Sequence, residues 1–214
     1  KYKKKTLITS TSEVYCKNEN IPFKEEDDSV LGSTSSSRWS YACSKAIDEF
    51  LAFAYHQQYE LPVVIARLFN TIGPGQVGQY GMVVPRFIES ALNGDPIQIY
   101  GTGNQTRCFA YVGDVINGLI GLMDSPQAKG QVYNLGSDQE VSINHLAELI
   151  IEKTKSKSAL EHMTYKEAYG KHFEDMHRRV PCLNKIKQPI NYQPKTNLSQ
   201  TLNIIIDYFR EIDQ

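Results

Sequence analysis

The sequence predicts an α/β fold in which a parallel sheet is covered by helices and followed by a mainly helical tail. Short apolar runs rich in β-branched residues alternate with segments of helical periodicity, and that alternation favours a parallel sheet. After Leu135 the pattern changes to helix and to charged, proline-bearing stretches. With 214 residues, 41% of them hydrophobic, the chain can bury one good core, or one core and a small lobe.

The strand-like runs are Thr6 to Thr9, Val63 to Arg67, Ile97 to Tyr100, Phe109 to Val112 and Gln131 to Leu135. Between them, Tyr41 to Gln58 places Ala42, Ala46, Phe50, Phe53 and Ala54 largely on one stripe, and Val84 to Asn93 and Asp114 to Met123 show similar periodicity. Ser142 is placed to cap a helix from Ile143 to about Lys155, and Leu198 to Ile212 reads as a final amphipathic helix. The stretch from Lys155 to Lys195, with Pro181, Pro189 and Pro194, reads as an irregular lobe of short elements.

The formal net charge is -1 with both signs interspersed, which argues against a phosphate-binding face and against nucleic acid as a partner. Cys16, Cys43, Cys108 and Cys182 are scattered without metal-ligand spacing, so no metal is expected and a reducing compartment fits. No stretch is apolar for long enough to span a bilayer, and a cytoplasmic location without membrane contact is expected.

Tyr41 and Lys45 are four apart on one helix face, a spacing that permits acid–base work because an ammonium beside a phenol favours the phenolate. In a chain with 13 tyrosines the pair alone is equally a surface tyrosine beside a solvated lysine. Neighbouring segments add weight. Ser10, Thr11, Ser12 and Glu13 follow the first strand, at the carboxyl end where open parallel sheets bind ligands, although a turn-capping role serves the same residues. Arg67, Leu68, Phe69 and Asn70 end the next strand. From Gly101 to Asp114, flexible glycines precede Arg107, a guanidinium that could clamp a diphosphate or sit at the tip of a hairpin. Gly75, Gly78 and Gly81 have the spacing of a cofactor fingerprint, but no ribose-binding carboxylate follows the next strand, and a substrate loop is the better reading.

Taken in order, S-T-S-E-V-Y at Ser10 to Tyr15, R-W-S-Y-A-C-S-K around Tyr41 and Lys45, R-L-F-N-T-I-G-P-G from Arg67 and G-T-G-N-Q-T-R-C-F-A-Y-V-G-D from Gly101 resemble the extended short-chain dehydrogenases, specifically the NAD-dependent nucleotide-sugar epimerase/dehydratase family. The resemblance covers nearly the whole chain. It implies a partial doubly wound (Rossmann-type) parallel sheet with a smaller carboxy-terminal substrate-binding lobe. Residues 1–70 and 108–140 would form the NAD-binding part and residues 71–107 and 141–214 the nucleotide-sugar lobe. The glycine-rich turn that holds the NAD pyrophosphate in such folds is not in the sequence. The chain is therefore expected to be the carboxy-terminal two thirds of such an enzyme and, alone, to bind NAD poorly.

The resemblance also implies residue roles. Tyr41 is the base, Lys45 holds the nicotinamide ribose and tunes Tyr41, and Thr11, with Ser12 and Glu13 beside it, meets the reacting sugar. Ser10, Leu68 and Phe69 lie near the cofactor. Asn70 and Arg107 bind the diphosphate, and Val84, Pro85 and Tyr100 form part of the base pocket. A tail segment, Tyr169, Gly170, Lys171 and Phe173 to Asp175, is similar to that of UDP-glucuronate decarboxylases and brings Arg179 to the substrate. The implied reaction passes through a 4-keto sugar to epimerisation or decarboxylation. Thr-Ser-Glu, where dehydratases carry an Asp-Glu pair after the threonine, leans away from 4,6-dehydration. The other reading is a non-catalytic fragment that binds a nucleotide sugar or a partner. Family members form homodimers through a bundle that includes the helix of Tyr41 and Lys45, with its companion helix expected before Lys1. Cys16 stands where the family generally has glycine, a strained arrangement if the turn requires positive φ.

Overall fold

The structure is a computed structural model and describes residues 3–78, 82–169 and 176–212. In chain order it contains strand β1 (Thr6–Thr11), helix α1 (Ser40–Tyr59), β2 (Val63–Leu68), β3 (Thr71–Ile72), α2 (Val83–Asn93), β4 (Ile97–Tyr100), β5 (Thr106–Cys108), β6 (Ala110–Tyr111) and α3 (Val112–Asp124). There follow β7 (Gln131–Leu135), β8 (Glu140–Ser142), α4 (Ile143–Thr154), β9 (Leu160–Met163), α5 (Tyr165–Tyr169), α6 (Asn184–Ile190) and α7 (Leu198–Ile212).

Strands β1, β2 and β7 form a parallel sheet in that order, with Thr11 level with Leu68 and Leu68 level with Leu135. The three carboxyl ends thus finish on one line. The central strand β2 reads V-V-I-A because both its faces are covered. Val63 and Ile65 pack with Ala52 of α1, while Val64 and Ala66 pack with Val115 and Leu122 of α3 and with Leu183 and Ile186 at α6. The two-residue period of a strand assigns alternate residues to the two helical layers.

A second core lies beyond the sheet's carboxyl edge. Helices α2, α4 and α7 close around Phe87, Ile88, Leu146, Ile150, Leu202 and Ile206, with Ile97 and Ile99 of β4 beneath them. Strand β4 pairs in parallel with β9, β5 runs antiparallel to β8, and β3 is parallel to β6. The Ser142 Oγ accepts from the His145 N–H at 3.1 Å, capping α4 as its sequence predicts.

Differences from the sequence reading are local. Strand β1 runs on to Thr11, which carries the first hydroxyls into the sheet edge. The expected strand from Phe109 to Val112 shrinks to Ala110–Tyr111, because Tyr111 is extended and Val112 already begins α3. Between Lys155 and Lys195 lie β9, α5 and α6, and α6 packs on the sheet side against α3 and β7. Cys16 has φ 53° and ψ -114°, the positive-φ turn that its position suggested. Gly81 of the glycine loop and Gly170 to Asp175 of the tail lie outside the described residues. Among the described residues no helix is long and apolar enough to cross a membrane.

Candidate active site

At the carboxyl edge of the sheet, β1 ends at Thr11 and the chain turns through one 3-10 turn, Ser12–Tyr15. The Glu13 N–H donates to Thr11 Oγ1 at 3.2 Å, so the threonine oxygen is held by the main chain and its own O–H is available to donate. Glu13 reaches two cations: Arg38 Nη1 lies 2.5 Å from Oε2 and Arg179 Nη2 lies 2.6 Å from Oε1. Burial pushes this carboxyl up, but the Arg179 and Arg38 guanidinium groups outweigh burial and hold it below the usual carboxylate range. Tyr41, in the first turn of α1, is half exposed and stands beside these groups on the wall of one cleft of about 590 Å³.

The floor of that cleft comes from the end of β2. The Phe69 N–H donates to Leu135 O at 2.9 Å, holding the segment after the strand against β7. A Cβ on Gly136 would lie 2.7 Å from the Phe69 Cβ, so a side chain there would push the Phe69 segment away from the end of β7. Asn70 Nδ2 donates to Cys108 O at 3.3 Å, and Arg179 Nη1 donates to Asn70 Oδ1 at 3.4 Å. The far wall carries Val84, Arg86, Tyr100 and Arg107. The Arg86 guanidinium lies 4.0 Å from the Tyr100 ring centroid, a cation–π stack that stiffens both side chains. Arg107 Nη1 donates to Thr106 O at 2.7 Å.

Of the residues selected from sequence, the structure brings Thr11, Ser12, Glu13, Tyr41, Leu68, Phe69, Asn70, Val84, Tyr100, Arg107 and Arg179 to this cleft. Three others stand elsewhere. Ser10 is buried and its hydroxyl donates to Glu49 Oε1 at 2.5 Å, inside a network in which Arg67 Nη2 meets Glu49 at 2.7 Å. Any contact of Ser10 with a ligand would run through its main chain. Pro85 is buried behind the wall that Val84 presents. Lys45 Nζ donates to Thr9 O at 3.0 Å and pairs with Asp48 at 3.3 Å, lining a separate groove of about 540 Å³ along the outer edge of β1. Tyr41 and Lys45 share a helix face as the spacing requires, but the amine is engaged with the strand edge.

Arg38, Arg86 and Tyr165 line the cleft without having been selected from sequence. Arg38 lies three residues before Tyr41, inside the R-W-S-Y run, and that proximity was a usable signal. Nothing local marks Arg86 or Tyr165.

Residues 1–205 match a family model described as GDP-mannose 4,6 dehydratase. A UDP-N-acetyl-alpha-D-glucosaminuronate decarboxylase of Bacillus cytotoxicus is 42% identical over the whole chain, which spans 66% of that protein's length. Among solved structures, the epimerase Mth375 of Methanothermobacter thermautotrophicus superposes with a TM-score of 0.86 at 30% identity, over 97% of this chain and 59% of that one. A UDP-glucuronic acid 4-epimerase of Bacillus cereus, in complex with UDP-glucuronic acid and NAD, superposes at 0.85 and 25% identity over 97% and 62%. With its parallel sheet, the cleft at the sheet's carboxyl edge and the match over residues 1–205, the chain belongs to the GDP-mannose 4,6 dehydratase family of NAD-dependent nucleotide-sugar epimerases and dehydratases.

Proposed function

We propose that this chain supplies the substrate-binding and acid–base part of an enzyme that decarboxylates a uridine diphosphate uronic acid through a 4-keto intermediate. The observation that carries this reading is the convergence on one cleft of a phenol, a threonine hydroxyl and several arginines drawn from distant parts of the sequence. The 42% identical decarboxylase supports the choice of reaction.

The residues for the nicotinamide end of NAD fit in part: Tyr41 and Phe69 line the cleft, and Lys45 sits on the neighbouring groove beside Thr9. When bound, that group supplies an acceptor for the hydride leaving sugar C4 and a donor for its return. Tyr41 takes the proton of the 4-hydroxyl, and Thr11, its oxygen fixed by the Glu13 N–H, donates to the same sugar oxygen. Arg107 and Asn70 hold the diphosphate, and Val84 with the stacked Arg86–Tyr100 pair borders the base. Arg179, between Glu13 and Asn70, is placed to draw the sugar carboxylate over the C4 end of the cleft. The 4-ketone then makes that carboxylate β to a carbonyl, so carbon dioxide leaves as the electrons move into an enolate, which takes a proton at C5.

A second reading, 4-epimerisation, is favoured by the likeness to the two epimerase structures. The exposed apolar face of α1, with Ile47, Phe50, Leu51 and Tyr55, supports pairing with a second copy of the chain. Proton NMR of UDP-glucuronic acid incubated with the full-length protein and NAD separates the outcomes. Decarboxylation yields a UDP-pentose with two protons at C5, where the uronic acid carries one, and epimerisation yields UDP-galacturonic acid. An unchanged spectrum with UDP-glucuronic acid and with UDP-N-acetylglucosaminuronic acid would overturn the proposal.

A further inference from the structure

Glu13 is the one carboxylate among the described residues lining the cleft, and it is gripped from two sides. Arg179 arrives from the carboxy-terminal segment. Arg38 arrives from the 3-10 turn Ser37–Trp39 that leads into α1, three residues before Tyr41. That turn is anchored. Trp39 is buried with Cys16 and Ala42, and a Cβ on Gly32 would lie 2.1 Å from the indole Nε1, so the ring fits only against a glycine. The Arg38 guanidinium in turn lies 5.5 Å from the Trp39 ring centroid. A cation on a packed aromatic, at the start of the helix that bears Tyr41, is tied to the residue two places after Thr11.

We propose that Arg38 is a positioning residue that, with Arg179, fixes the orientation of the Glu13 carboxylate at the sugar end of the cleft and keeps it an anion. The proposal rests on the nucleotide-sugar reading above and deepens it. Elimination of the 6-hydroxyl as water needs a proton donor at that oxygen, and a carboxylate bridged by two guanidinium groups is a poor one. Neither decarboxylation nor epimerisation expels the 6-oxygen as water, so neither requires a proton donor at that oxygen. Among the described residues, the charged or titratable groups around Glu13 are Arg38, Arg179 and the Cys16 thiol, with the Tyr41 phenol on the same cleft wall. Burial, followed by the Glu13 charge, pushes that thiol up to about 11, so at neutral pH it adds no charge. Loss of Arg38 leaves a largely buried carboxylate with one cation, and its affinity for a proton rises.

The test is a carbon-13 NMR titration of glutamate side-chain carboxyls in the full-length protein, with E13Q identifying the Glu13 resonance. In the unsubstituted protein Glu13 is expected to titrate below the ordinary glutamate range. In R38M its proton affinity should rise about tenfold or more, with R38K restoring part of the difference. If near-ultraviolet circular dichroism shows R38M to be unfolded, R38Q replaces it. With UDP-glucuronic acid and NAD, R38M should lower kcat while leaving KM nearly unchanged. The acidic limb of its pH profile should move upward, a shift that general loosening of the fold does not produce. Equal Glu13 titration in R38M and the unsubstituted protein would overturn the positioning role. Absence of turnover in the unsubstituted protein would instead overturn the nucleotide-sugar reading, because the titration needs no substrate.

Discussion

Helix α7 buries Thr201, Leu202, Ile205, Ile206 and Phe209 against its neighbours, whereas the longer α1 buries Ala42, Glu49 and Ala52 and leaves Tyr41, Ile47, Phe50, Leu51, Tyr55 and Tyr59 more than half exposed. The two helices are similarly apolar in sequence but differ in what covers them. Around α7 the apolar stripe meets α2 and α4 and the core closes. Around α1 one narrow stripe meets β1 and β2, and the rest of its apolar surface faces outward, next to the groove along the β1 edge. Tyr41, for which we propose the acid–base role, and Lys45 sit on the uncovered helix. The lobe is therefore a finished scaffold for one wall of the cleft, while the opposite wall belongs to an element whose own packing is shallow.

The sharpest way to break this contrast is to ask whether α1 contributes chemistry at all. Tyr41→Phe is expected to lower kcat by about 10²- to 10⁴-fold, with the affinity for UDP-glucuronic acid in calorimetry nearly unchanged. An equal loss of binding would assign Tyr41 to ligand contact instead. The closed side should then answer in stability. Leu202→Ala, at a fully buried site, is expected to cost about 2–5 kcal/mol in urea denaturation.

Backbone strain near the cleft gives a smaller effect. Cys16 holds φ 53°, and both Cys16→Gly and Cys16→Ala delete the thiol while only glycine relieves the turn. The glycine variant should be the more stable of the two by about 1–3 kcal/mol.

Two carboxyls, Glu25 buried and Glu13 partly buried, respond to pH in opposite senses. Burial pushes Glu25 up, a rise that the Asn134 N–H only partly offsets, so its contribution to stability is present below the ordinary carboxylate range and is lost as pH rises through its raised value. Glu13 lies below the usual range, so its contribution is present above that range and is lost as pH falls through its lowered value. Glu25→Gln should therefore stabilise the protein at neutral pH and lose that advantage in acid, and Glu13→Gln should flatten the acid-side loss. Denaturation midpoints measured across the acid range check both signs. The smallest expected effect returns to α1: Phe50→Ala, on its exposed face, should change monomer stability by less than about 0.5 kcal/mol.

Much of the fold was legible because its elements are periodic. The continuous apolar run of β2, the stripe of α7 and the Ser142 cap each depend on residues within a few positions of one another, and the structure has them where the pattern placed them. The cleft was legible for a related reason. Thr11 ends one strand of the parallel sheet and Phe69 and Asn70 follow the next, and the carboxyl ends of such strands must share an edge. Short elements such as β5 and β8 were not readable, because a three-residue strand has no period and is defined by its partner.

What the sequence by itself determined was the set of groups at the sheet's edge and the helix face shared by Tyr41 and Lys45, since backbone geometry fixes both within one or two elements. Only the tertiary structure decided where long side chains end. The Lys45 amine goes to Thr9 O, the Ser10 hydroxyl goes to Glu49, and Glu13 is met by Arg38 and Arg179, which are 25 and 166 positions away along the chain. A lysine, arginine or glutamate side chain spans several rotatable bonds, so its charged end is placed by burial and by the nearest opposite charge, and that neighbour exists only once distant segments have packed.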